Sequence, residues 1–318
     1  MSPIHKLFQN VAIISVIIKE KLQQTSISHT DEMSMKTLYA LLLVVLYVRF
    51  SDSRTIEFEN RCGYDIWVNP LTNAQGPMLP GGIVRLSNYG RYTYQIPDGG
   101  WGGRFWPKSG CDNTGQNCEV GQSIDPCNPG GCDPPAETKV EFFFPPIGDP
   151  GDVWYDVSLV DGYSLPAEIV PSVQVGSCVT TNCAISLDDC PTTEDHVGDL
   201  RVSRNGRTIK CLSPCKKWNY PPPFGHGLDE LISPGVYLCC PTPPIWPEEC
   251  RAGPVVHTQY VRLVHRDCPT AYAYSYDDEA GLHNCPNGVN FKIKEPTIET
   301  CLVEHFRSVR ERGFLSAK

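Results

Sequence analysis

The chain has 318 residues, 41% of them apolar and 20% charged, with a formal charge of −9. An acidic chain without a concentrated Lys/Arg run suits neither phosphate backbones nor anionic membranes, which argues against nucleic-acid binding and favours neutral or cationic partners. Its 27 Gly and 29 Pro follow no short period, which excludes a collagen-like repeat and points to many turns between short strands.

In chain order, residues 1–34 hold a weak apolar stretch, Val11 to Ile18, followed by basic Lys19 to Lys21. Met35-Lys36 then opens an apolar run from Leu38 to Val48, with small residues Ser51 and Ser53 before Arg54. That is the pattern of a secretory signal over 35–53, too short to span a bilayer comfortably. Residues 1–34 are either a genuine extension or the consequence of a start placed upstream of Met35, and the second reading is preferred.

From Thr55 the pattern becomes strand-like. Thr55 to Glu59 alternates polar and apolar residues, and Tyr64–Val68, Ile83–Leu86 and Tyr92–Ile96 follow, each bounded by Gly, Pro or Asn. Val140–Phe144 and Val153–Val160 are two more strands, separated by a Pro/Gly turn. Short strands at this spacing predict a β-sandwich or barrel. Composition shifts near Cys178, where cysteines crowd around a Pro-rich stretch at Tyr220 to Phe224. This region is expected to be a disulfide-held lobe, with a short helix around Cys211 to Trp218. Strand patterns return at Ala271–Tyr276 and Val289–Ile293, so the chain leaves a sheet domain and comes back to it. In the tail 302–318, the helical spacing of Leu302, Val303, Phe306 and Val309 predicts a short amphipathic helix.

All sixteen cysteines lie between Cys62 and Cys301. An even number confined to one region argues for disulfides. There is no C-x-x-C pair, and the adjacent Cys239 and Cys240 suit two separate bridges better than one tetrahedral site. No metal or cofactor is expected, and a disulfide-rich chain belongs in an oxidising, extracellular compartment. Gly-rich phosphate loops, His-Glu-x-x-His and Gly-x-Ser-x-Gly are absent, as are Asn-x-Ser/Thr acceptors.

Several segments resemble the thaumatin-like family. They are Gly103-Arg-Phe-Trp with Cys111, Pro134-Pro-Ala with Glu141-Phe, Tyr155-Asp-Val-Ser-Leu-Val-Asp-Gly-Tyr-Ser-Leu-Pro166, Cys239-Cys240, and Cys268-Pro-Thr-Ala-Tyr with Asp277-Asp278. The resemblance covers about residues 55–301. It implies a mainly β domain over 54–301: an antiparallel sandwich core (54–108, 137–184 and 269–301), a disulfide loop region (109–136) and a disulfide-rich lobe (185–268). It also implies the pairings Cys62–Cys301, Cys111–Cys118, Cys127–Cys132, Cys178–Cys285, Cys183–Cys268, Cys190–Cys211, Cys215–Cys239 and Cys240–Cys250. The segment Cys118 to Cys127 is longer than the family's usual loop, and the stretch 220–230 and the tail are further departures.

The same resemblance implies a cleft lined by Arg104, Glu141, Asp156, Asp161 and Asp277, and the nearby aromatics Trp106, Tyr155 and Tyr272 are candidates to stack on sugar faces. Asp156 and Asp161 lie five apart, so an ideal strand would put them on opposite faces unless the Asp161-Gly162 turn re-aims the second. Three readings of the cleft stay open. It binds a neutral polysaccharide such as β-1,3-glucan or another cell-wall component; it hydrolyses that glucan weakly, with Glu141 as general acid and Asp161 or Asp156 as partner; or Arg104 is the counter-ion of a structural network. The first reading implies a secreted, monomeric, antifungal protein of pathogenesis-related type. A non-defence interaction protein on the same scaffold is the alternative outside carbohydrate chemistry.

Overall fold

The computed structural model describes residues 54–73, 76–122 and 135–294. The expected signal segment 35–53, the extension 1–34, the tail 302–318, and the Cys62–Cys301 and Cys127–Cys132 bonds fall outside these residues.

The fold is mainly β and antiparallel. Strands β1 (Thr55–Glu59), β4 (Arg91–Gln95), β9 (Ala167–Pro171), β10 (Thr181–Cys183) and β14 (Phe291–Lys294) form a five-stranded sheet in the order β10-β9-β14-β1-β4. A six-stranded sheet runs β13-β7-β6-β5-β2-β3, from β2 (Ile66–Thr72), β3 (Val84–Leu86), β5 (Trp101–Ser109), β6 (Lys139–Phe144), β7 (Val153–Ser158) and β13 (His283–Cys285). The sheets bury their facing sides against each other. Phe58 of the first lies 4.9 Å from Phe105 of the second, and Phe291 lies 5.1 Å from Phe142 and 5.0 Å from Tyr155, ring centre to ring centre. The first and last described strands, β1 and β14, are parallel neighbours, so the chain closes its sandwich where it opened it.

Two elements depart from the sequence expectation. The nine-residue β5 at the centre of the large sheet was hidden by Gly102, Gly103 and Pro107, which lower strand propensity. Gly103 is required by contact: a Cβ there would lie 2.4 Å from the Leu71 carbonyl and 2.5 Å from the Trp101 ring. Conversely, Ala271–Tyr276 is no strand. Tyr272 makes a single bridge to Ser158, and the Asp277 carboxylate accepts a hydrogen bond from the Ala273 amide at 3.0 Å, which curls the segment into a turn.

The lobe contains more order than its composition suggested. β11 (Arg201–Arg204) and β12 (Arg207–Leu212) of the lobe form a third sheet with β8 (Gly162–Tyr163), which the core segment contributes. Asn205 and Gly206 join β11 to β12 with φ of +52° and +77°, the left-handed pair that an Asn-Gly hairpin turn uses. Helices α1 (Pro214–Asn219), α2 (Gly235–Cys239), α3 (Pro247–Arg251) and α4 (Gln259–Asp267) follow, with α5 (Asp278–Gly281) beyond the lobe. α1 lies where a helix was expected and is capped by the Ser213 side chain. α4 was not anticipated, although Thr258 caps it and buried Tyr260, Val261, Leu263 and Val264 recur at helical spacing. Disulfides join Cys111 to Cys118, Cys178 to Cys285, Cys183 to Cys268, Cys190 to Cys211, Cys215 to Cys239 and Cys240 to Cys250. Cys183–Cys268 closes the base of the lobe.

Candidate functional site

Successive residues of a strand alternate faces. On β6, Val140, Phe142 and Phe144 point into the sandwich, so Glu141 and Phe143 point out. On β7, Val153, Tyr155 and Val157 are buried, so Trp154 and Asp156 point out. Register then aligns these residues across strands. Arg104 opposes Glu141, which opposes Asp156, and one step along the same face Phe143 opposes Trp154.

This outer face floors an open cleft of about 370 Å³, lined by Glu141, Asp156, Phe143, Trp154, Tyr272 and Tyr276 among others. Its far wall is the 272–282 segment. Contact with the lobe is made at one edge, where the Tyr276 and Thr242 hydroxyls lie 2.6 Å apart. Tyr276 has φ +69°, a left-handed conformation that a bulky residue adopts only when its surroundings hold it there. The Thr242 contact and a 3.4 Å hydrogen bond from Arg251 to its carbonyl supply that hold.

The five expected site residues separate into three groups. Arg104 and Glu141 form an ion pair at 3.2 Å, and Asp156 lies beside them. Oδ1 of Asp156 is buried and has no hydrogen-bond partner. Burial first, then the charges of Glu141 and Asp278, push its carboxyl well above the usual carboxylate range, and Arg104 only partly opposes them.

Asp161 is elsewhere. Gly162, at φ +136°, turns the chain off β7, and Asp161 lines a neighbouring cavity of about 190 Å³ with Lys216, Asn219 and Glu230. Its two oxygens meet Lys139 at 2.7 Å and Lys216 at 3.2 Å. Burial works against its charge, but the two ammoniums outweigh it and hold the carboxyl below its ordinary range. Asp277 is also absent from the cleft lining. It is buried, 2.7 Å from His265 Nε2, and ties the 273 turn to α4. The carboxylate of that motif beside the cleft is Asp278, which accepts a hydrogen bond from the Tyr272 hydroxyl at 2.7 Å and has Arg251 at 3.6 Å.

The aromatics sort differently from expectation as well. Tyr272 lines the cleft. Tyr155 faces the sandwich and donates its hydroxyl to the Val179 carbonyl at 2.6 Å. Trp106 shares the outward side with Arg104, but the loop after β5 covers it, and its indole N–H donates to the Gly121 carbonyl at 3.1 Å. The exposed rings on the cleft floor are Phe143 and Trp154, each 42% accessible. Strand alternation around Glu141 and Asp156 identifies both, and the run Phe142-Phe143-Phe144 obscured the first. Cys215, Glu230 and Cys239 approach one another closely, but both sulfurs belong to a disulfide, which leaves no thiolate for a metal.

Residues 60–295 match the Thaumatin family. The chain belongs to that family. A glucan endo-1,3-beta-glucosidase of Prunus avium is 34% identical over 271 residues, covering 81% of this chain and 98% of the relative. Thaumatin-like protein 2 of Prunus persica is 32% identical, with the same two coverages. Pathogenesis-related protein 5 of Arabidopsis thaliana is 34% identical over 239 residues, covering 74% of this chain and 86% of the relative. Within this thaumatin-family scaffold, the described cleft is a carboxylate row beside an exposed aromatic pair.

Proposed function

We propose that this chain is a secreted, monomeric, defence-type protein whose mature domain, 54–301, binds a cell-wall polysaccharide through the cleft, with β-1,3-glucan as the first ligand to test. The observation that carries the reading is the juxtaposition, on one sheet face, of the Arg104–Glu141–Asp156 row with exposed Phe143 and Trp154. A pyranose has apolar faces and a polar rim. Flat rings suit the first and convergent carboxylates accept hydrogen bonds from the second, the usual division of labour in a ligand site. The name of the Prunus avium relative supports a glucan as ligand class.

Weak glucanase activity is a second reading, favoured by one feature. Glu141 and Asp156 are direct cross-strand neighbours, whose Cβ atoms are about 4.5–5.5 Å apart in such pairs, comparable with the ~5–5.5 Å between the carboxyls of retaining glycosidases. In that chemistry Asp156, whose carboxyl burial raises well above the usual carboxylate range, is the general acid, and Glu141, paired with Arg104, is its partner. Asp161 takes no part because both of its oxygens face lysines. Pull-down on insoluble β-1,3-glucan, run beside reducing-sugar release, tests both readings. Binding lost in Glu141→Gln supports the cleft, and release abolished by the same change supports hydrolysis. Wild-type protein that fails to bind would sink the glucan reading.

A further inference from the structure

We infer that the cleft takes a glycan bearing a free amino group, with a glucosamine-type unit stacked on Phe143 and Trp154 and its ammonium placed against Asp156. The inference rests on the polysaccharide reading above and specifies the chemistry of one sugar unit.

The argument is the distribution of charge around the cleft floor. Among the described residues, each carboxylate near it has an ion-pair partner within 4 Å except one. Glu141 has Arg104 at 3.2 Å, Asp278 has Arg251 at 3.6 Å and the Tyr272 hydroxyl at 2.7 Å, and Asp277 has His265 at 2.7 Å. Asp156 lines the cleft with a buried Oδ1 that bonds nothing. The charged groups that face it are Glu141 across the strand pair, Arg104 one strand further, and Asp278 on α5. Glu141 and Asp278 are each compensated by an arginine, so the charge left without a counter-ion is that of an ionised Asp156. A neutral hydroxyl would leave that charge standing, whereas an ammonium against the carboxyl neutralises it.

The second observation is independent of charge. Phe143 and Trp154 are cross-strand neighbours in the register next to Glu141 and Asp156, and both are exposed. Adjacent strands lie about 4.8 Å apart and alternate residues of one strand about 6.7 Å apart. A single hexose resting on the aromatic pair therefore has its substituents within reach of Asp156. An inorganic cation would use the carboxyl and ignore the rings, and an apolar ligand would use the rings and leave the charge. An amino sugar engages both.

Burial raises the Asp156 carboxyl above the usual carboxylate range, which supplies a second readout. A bound ammonium favours the ionised carboxyl, so binding at mildly acidic pH releases a proton to buffer, and calorimetry in buffers of different ionisation heat detects it.

The experiment compares short β-linked glucosamine oligomers, their N-acetylated counterparts and β-1,3-glucan oligomers by isothermal calorimetry. The full-length secreted protein, Asp156→Asn, Phe143→Ala with Trp154→Ala, and the exposed lobe variant Asp195→Asn are each titrated. The expected result is tightest binding of the free-amino oligomer, weakened about tenfold or more by Asp156→Asn, weakened also by the aromatic change, and unaffected by Asp195→Asn. Equal loss in Asp195→Asn would show general attraction of a polycation and overturn the inference. Equal affinity for amino and N-acetyl oligomers, with Asp156→Asn silent, would overturn it and leave polysaccharide binding standing. Binding of amino oligomers without any β-1,3-glucan binding would support the inference and remove the glucan assignment. No binding of any oligomer by folded wild-type protein would end both.

Discussion

Asp156 and Asp161 are five residues apart in one stretch of sequence, Tyr155 to Pro166, yet their surroundings are opposite. Asp161 sits between two ammoniums and holds together the end of β7, the start of β6 and the first turn of α1 through Lys139 and Lys216. Asp156 faces two other carboxylates across its near surroundings and keeps a buried oxygen unbonded. A buried charge with its counter-ions in place is an element of structure. One held without them destabilises the fold, and it gains only when something outside the chain arrives. The two residues of the motif are thus a structural carboxylate and, on the reading proposed above, a binding carboxylate.

Breaking the compensated side should give the largest effect. Lys139→Met removes the better of Asp161's two partners from a site where the lysine is 7% exposed. Stability should fall by about 3 kcal/mol, the low end for a broken buried pair because Lys216 remains. Denaturant unfolding with disulfides intact measures this, and a loss below about 1 kcal/mol would place Asp161 among ordinary surface pairs. On the other side, Asp156→Asn should leave stability unchanged or raise it by about 1 kcal/mol, since it removes a charge that the fold does not neutralise. Two substitutions of opposite sign, one in each environment, make the comparison sharp. Destabilisation by both would erase it.

The two carboxylates should also differ in pH dependence. Asp161's carboxyl titrates below its ordinary range in the folded chain. Its contribution is therefore present above the unfolded value near 3.9 and is lost as pH falls through the folded value. Asp156's carboxyl is raised, so the folded state binds that proton more tightly than the unfolded state. Its effect is absent below about pH 3.9 and becomes a growing destabilisation as pH rises from there through the folded value. Relative to wild type, Asp161→Asn should look most damaging near neutrality and harmless in acid. Asp156→Asn should look neutral in acid and increasingly favourable toward neutrality. Parallel profiles for the two variants would refute the assignment.

Much of this was legible before any coordinates. Strand alternation located the sandwich, and the motifs located Arg104, Glu141 and Asp156. What sequence could not supply was register. Glu141 opposes Asp156 because of where β6 and β7 pair across the Pro145-to-Asp152 connection, and periodicity within one strand says nothing about its neighbour's offset. Burial of Trp106 was likewise hidden, because its outward position is correct and only a loop returning to Gly121 covers it. Tyr155 was a different failure. Its parity with Val153 and Val157 already placed it inward. The choice between Asp277 and Asp278 depended on the left-handed backbone at Tyr276, which no local signal announces.

The smallest expected effect comes from Asp277, whose compensation depends on pH. Its hydrogen bond raises the His265 imidazole above the ordinary histidine value, against the opposing cost of burial. Such a group stabilises fully below the unfolded value near 6.5, and the contribution is lost as pH rises through the folded value. With His265 38% exposed, solvent screening holds the gain to about 0.5 kcal/mol. His265→Gln should therefore lower stability slightly at pH 5 and leave it unchanged well above the folded value, read by thermal unfolding across that range. Asp277 would keep its hydrogen bond to the Ala273 amide in both forms, so the turn that carries Tyr276 into the cleft should persist and glycan binding should not change. If His265→Gln instead abolished binding at all pH values, Asp277 would belong with Asp156 on the ligand side of the comparison, and its burial against α4 would need another explanation.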